Sequence, residues 1–256
     1  MLWALLIALL ITKLSGGPEE IFMIPKLNKE IKAQIVEKDR RGEILDLAKE
    51  AKKEIKVFGK IRKSKLKEIK QKGIQREVSS DDLMSIYDEY YQARLAMQAS
   101  LIEKRLTIQD LITEEEWNNL IGSAVLPSEK AAKKIEKSDA KEDRKGEKVI
   151  AEIEKAIAKE VTDETRKENL VDALETFSTT LREFIEEGQR MNFKDNELVR
   201  SRTTTREDLE GFYKRQNELR YKGTIEYFEI RNVALANTTD DEWKAIVKAM
   251  NTILKQ

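Results

Sequence analysis

The chain has 256 residues, 40% hydrophobic and 38% charged, with 48 basic and 48 acidic side chains and a formal net charge of zero. Charge balance argues against the global basic field of a nucleic-acid protein. Cysteine and histidine are both absent. This excludes disulfides, thiolate metal sites, Ser-His-Asp triads and histidine-based zinc or di-iron centres. Lys and Glu dominate and Gly is sparse, a composition that favours long helices and predicts an all-α protein.

Leu2 to Ile11 is an unbroken apolar run, closed by Thr12 and Lys13. As a signal peptide it lacks a preceding Lys or Arg, and Ser15-Gly16-Gly17-Pro18 is a poor small-residue cleavage site. As an anchor it is short of the ~20 apolar residues that span a bilayer. Met1 to Leu14 can still insert if Lys13 snorkels and the bilayer thins. The expectation is an uncleaved membrane anchor within residues 1–17, with a cleaved signal or a core helix as the alternatives. Lys13, Lys26, Lys29 and Lys32 follow the run, which by the positive-inside rule favours the cytoplasmic face. Interspersed acids and the length of the following chain weaken that rule, so the chain is expected to face the periplasm or cell exterior.

Beyond the N-terminus the chain matches itself at an offset of 126, that of Asp82 to Asp208. Residues near 22–121 align without a gap on residues near 148–247. Identical pairs include Tyr87/Tyr213, Arg94/Arg220, Glu103/Glu229, Arg105/Arg231, Thr113/Thr239, Glu116/Glu242 and Trp117/Trp243. The expected architecture is therefore two tandem homologous three-helix modules, at 18–121 and 148–256, behind the apolar segment. A polar linker, 122–147, containing Pro127-Ser128-Glu129, would join them; the modules would sit apart or stack end to end.

The first long helix of each module is drawn by one apolar stripe: Ile44, Ala48, Ala51, Ile55 and Phe58, against Leu170, Leu174, Phe177, Leu181 and Phe184. Gly73 and Val78-Ser79-Ser80 break the pattern. A second helix opens at Ser79-Ser80-Asp81-Asp82, matched by Thr205-Arg206-Glu207-Asp208, where a hydroxyl cap precedes acids. Leu83, Tyr87, Tyr90, Met97 and Leu101 form its buried face. The third, short helix begins at Thr113-Glu114-Glu115-Glu116-Trp117 and again at Thr239-Asp240-Asp241-Glu242-Trp243, both T-x-x-E capping boxes. Its Trp is read as a wedge that docks the short helix on the long ones, with a ligand platform as the functional alternative.

Two sets of residues stand out as sites. Lys49 to Lys72 carries eleven Lys or Arg and three Glu, whereas the matching stretch holds Glu183, Glu186 and Glu187. Lys52, Lys53, Lys56, Lys60, Arg62, Lys63 and Lys67 are thus candidates for an anionic surface or acidic partner, against a plain solvated face. Aromatics are hardly interleaved with these lysines, so nucleic acid is not the expected partner. The repeated arginines Arg40/Arg166, Arg94/Arg220 and Arg105/Arg231 are expected to pair with Asp46/Asp172, Glu103/Glu229 and Glu116/Glu242. A ligand carboxylate held by two arginines is the sharper alternative. No Gly-rich phosphate loop, catalytic set, metal site or cofactor motif is nominated. The expected function is a non-catalytic, membrane-tethered scaffold or adaptor that binds protein partners. A periplasmic helical chaperone or small-ligand binder, with a pocket at Tyr87, Tyr90, Tyr213 or Arg94, is the alternative.

Overall fold

A computed structural model describes residues 27–123 and 150–253, and all regular structure among them is helical. The apolar run and nearly all of the linker lie outside the described residues. In chain order the helices are α1 (Leu27–Gln34), α2 (Lys38–Gly73), α3 (Ser80–Leu111), α4 (Glu114–Ser123), α5 (150–160), α6 (Glu164–Arg200), α7 (Arg206–Ala236) and α8 (Asp240–Ile253). Among these residues no helix is long and apolar enough to cross a membrane.

Local chemistry sets the helix starts. Ser79 caps α3 and Thr205 caps α7, each in a reciprocal box with the acid three residues on, Asp82 and Asp208. The Asp82 amide donates to Ser79 Oγ at 3.1 Å, and the Ser79 amide donates to Asp82 Oδ2 at 3.2 Å. Two of the amides orphaned at a helix start are thereby satisfied. α2 runs 36 residues, about 54 Å at 1.5 Å per residue.

The three-helix expectation needs a correction. A short helix precedes each long one, α1 before α2 and α5 before α6. Eight residues are too few to be stable alone or to show a clear period. Packing holds α1 in place: Ile31 and Ile35 are fully buried with Ile44, Ala48, Ile108, Ile112, Trp117 and Leu120.

A larger core runs through both halves of the chain. It joins Phe58, Leu83, Tyr87 and Leu101 to Leu170, Phe184, Leu209, Tyr227 and Trp243. The halves therefore lie neither apart nor end to end. α3 and α7 pack side by side, tied by Ser80–Asn232, Arg94–Asn217 and Glu103–Arg206, and Gln109 donates to the Arg202 carbonyl in the turn before α7. Partner numbers fall as residue numbers rise, so the two helices are antiparallel.

Candidate functional site

Beside the shared apolar core, a set of polar contacts between the halves is reciprocal. Trp117 Nε1 donates to the carbonyl of Arg200 at 2.8 Å, and Trp243 Nε1 donates to the carbonyl of Ile74 at 2.9 Å. Ile74 and Arg200 stand at the same offset of 126 as the two tryptophans. Arg105 Nη2 donates to Ser201 O at 3.1 Å, and Arg231 Nη2 to Gln75 O at 2.9 Å. Arg202 Nε reaches Ile112 O at 2.9 Å, and Arg76 Nη2 reaches Thr238 O at 2.6 Å. Each of these contacts from the first half to the second has its mirror, the relation a two-fold axis produces at an isologous interface.

The arginines divide into two kinds. Arg40 grips Glu116 through Nη1 at 2.9 Å and Nη2 at 2.7 Å, and Arg166 grips Glu242 at 2.6 and 3.1 Å. The same carboxylates close the capping boxes, accepting from the amides of Thr113 and Thr239. Arg166 first, then the Thr239 amide, hold the Glu242 carboxyl at about 2. At Glu116, burial opposes ionisation, but the Thr113 amide and Arg40 outweigh it and the carboxyl is lowered.

The remaining arginines depart from the expected carboxylate pairing. Arg94 donates through Nε to Asn217 Oδ1 at 3.1 Å and through Nη1 to the Tyr90 hydroxyl at 2.9 Å. Arg220 donates to Gln216 at 3.1 Å. Arg231 meets the carbonyls of Gly73, Gln75 and Val78 at the end of α2 and the turn after it. Glu103 is taken by Arg206, from the other half. For Arg105 and Arg231 the physical reason is the helix C-terminus, whose last carbonyls lack helical partners and concentrate partial negative charge, so a guanidinium fork fits there without a carboxylate. Arg94 and Arg220 instead meet side-chain oxygens within the helices. Burial pushes the Arg105 guanidinium down from its ordinary value. It remains protonated at neutral pH, and its charge sits 3.9 Å from the Trp117 ring centroid, a close cation–π contact.

Tyr87, Tyr90, Tyr213 and Arg94 are all buried in the packed interior. Burial raises the Tyr87 hydroxyl well above the ordinary tyrosine range. Among the described residues no three acidic side chains gather as metal ligands.

On α2, the six nominated lysines, Lys52, Lys53, Lys56, Lys60, Lys63 and Lys67, are exposed. At 100° per residue they fall in an arc of roughly 100°, so they share one face. Among the described residues none of the six takes part in an ion pair, unlike Lys65, which is held by Glu89 and Glu68. Arg62 is half-buried and turns away from that arc.

Beside the lysine face, α2 and α3 enclose an open groove of about 490 Å³. Val57, Phe58, Ile61, Ala93, Ala96 and Met97 supply its apolar lining, and Lys53, Glu50, Glu54 and Ser100 its polar edges. Val57 is 50% exposed there. Lys104 pairs with Glu54 at 2.9 Å beside it. Sequence reasoning missed this groove and also missed Arg76 and Arg202. The arginine pair was available as an identity at the 126 offset; the groove needed residues of two helices placed together.

No family model, curated protein or solved structure matches the chain.

Proposed function

We propose that this is a non-catalytic, membrane-tethered helical scaffold or adaptor, built from two homologous modules fused as a pseudo-dimer. Residues 1–17 serve as the tether, and the helical body faces the periplasm or cell exterior. Supporting the duplication are the mirrored contacts of Trp117 and Trp243, Arg105 and Arg231, and Arg76 and Arg202. A module whose Trp and Arg are completed by the other module's carbonyls has the features of an obligate dimer made into one chain.

One observation carries the binding role: a face of six exposed lysines, in no ion pair among the described residues, beside an open apolar groove, on a body fixed by buried polar contacts. Such a face is suited to an acidic partner, since unpaired lysines raise association rates and orient the encounter. The buried tyrosines speak for packing and against a small-ligand pocket at those positions.

In-cell crosslinking and affinity capture test the proposal, with the full chain beside a version lacking residues 1–17. A reproducible protein partner, lost or weakened in the truncated form, is the expected result. Both forms emerging alone and monomeric would contradict it.

A further inference from the structure

The two halves differ most informatively at the groove. In the second half, Lys222 lies over the Phe184 ring with Nζ 5.4 Å from the centroid, and Glu183 is exposed beside it. The matching residues of the first half are Ala96, Phe58 and Val57. One half thus sets a long cation over its phenylalanine, with an exposed acid next to it in the chain. The other has Ala96 and Val57 at those positions, and its phenylalanine, as buried as Phe184 (3% against 4%), lines an open groove. Glu187 is likewise matched by Ile61. Val57 belongs to a continuous apolar lining with Ile61, Ala93, Ala96 and Met97, and a contiguous apolar recess, unlike a lone exposed side chain, marks a place that a partner covers.

From this pairing we propose that the α2–α3 groove of the first half is the docking site for an acidic amphipathic helix of a protein partner. This deepens the protein-binding reading above and rests on it. The groove runs between two helices and is recessed, so a third helix can lay an apolar ridge along Val57, Ala93 and Ala96. The edge formed by Lys53, continued by Lys56 and Lys60 on the adjoining arc, meets acids flanking that ridge. Glu50 and Glu54 on the other side are engaged by Lys104, which offsets their charge and leaves the lysine edge as the charge that a partner meets. A flat bilayer would touch the lysines but would leave the recess unfilled.

The test uses the full chain in phosphatidylcholine nanodiscs and a fluorescent synthetic helix with a leucine stripe flanked by glutamates. A second peptide carries lysines in place of the glutamates. Ala96→Lys and Val57→Glu install in the first half the residues that the second half already accommodates at matching positions, and circular dichroism confirms folding. Saturable binding of the acidic peptide is expected, about tenfold or more tighter than the basic one. Each groove variant should lower that affinity by about tenfold, equivalent to about 1.4 kcal/mol. Equal binding of the two peptides, or binding indifferent to both variants, overturns the groove assignment. So does loss of peptide binding when phosphatidylglycerol enters the nanodisc, because the lysines would then face lipid. Partner capture in cells tests the scaffold role separately, whichever peptide the groove takes.

Discussion

Trp117 and Trp243 hold the two halves of the molecule by the same bond given in opposite directions. Each indole donates to the carbonyl that ends, or closely follows, the other half's long helix: Arg200 for Trp117 and Ile74 for Trp243. The rings are 2% and 3% exposed. Each therefore combines apolar burial with a satisfied donor, which is how a buried Trp avoids stranding its N–H.

Trp243→Ala should destabilise the protein by about 3–5 kcal/mol, the usual cost of emptying a large aromatic site. Trp243→Phe should cost less, because the ring remains while the bond to Ile74 O is lost. Urea unfolding at neutral pH measures both. Equal losses for Ala and Phe would mean that the indole N–H, and not packing, dominates.

Acid should loosen the Arg166–Glu242 clamp. The Glu242 carboxyl is held at about 2, below its ordinary 4.5. A depressed carboxylate contributes stability in full above its unfolded value, and that contribution fades as pH falls from about 4.5 towards 2. Glu242→Gln should therefore flatten this acid limb while lowering stability at neutral pH. A pH series of melting temperatures decides it; identical limbs in both proteins would contradict the assignment.

Arg231→Lys should be far from conservative. The guanidinium serves Gly73 O, Gln75 O and Val78 O together, and a single ammonium on a thinner stem cannot reproduce that fork. A loss of about 2–3 kcal/mol is expected, since hydrogen bonds to charged groups contribute about 1.5–3 kcal/mol each. Chemical denaturation checks the size. A neutral outcome would show that water takes over the carbonyls.

Gly59 offers the opposite effect. It lies inside α2, and a Cβ there would meet nothing within 4 Å. Gly59→Ala should stabilise the protein by about 0.5–1 kcal/mol through backbone entropy and helix propensity. A rise in the urea midpoint at an unchanged slope is the expected signature.

What the sequence disclosed, and what it did not, follows the range of the forces. The capping boxes at Ser79–Asp82, Thr205–Asp208, Thr113–Glu116 and Thr239–Glu242 span three residues, so they are legible in one dimension. The stripe from Ile44 to Phe58 is legible for the same reason. The partners of Arg105, Arg231, Trp117 and Trp243 are main-chain carbonyls, and a carbonyl has no side-chain letter to reveal it. Reading the arginines against Glu103 therefore misled, while Glu116, fixed by its own capping box, stands opposite Arg40. The α1 helix was hidden because Ile31 and Ile35 make only one turn of contact. The groove was hidden because Val57 and Ala96 line it from two different helices, although the change to Glu183 and Lys222 at the same offset was visible.

The most direct test of the interlocked halves is equilibrium urea unfolding followed by one tryptophan at a time. In a Trp3→Phe background, Trp243→Phe leaves Trp117 as reporter and Trp117→Phe leaves Trp243. A shared core and reciprocal anchoring predict that, within each variant, tryptophan fluorescence and helical circular dichroism fall in one coincident transition. A two-step helical signal, with each tryptophan following a different step, would show that the halves unfold independently and would contradict the account.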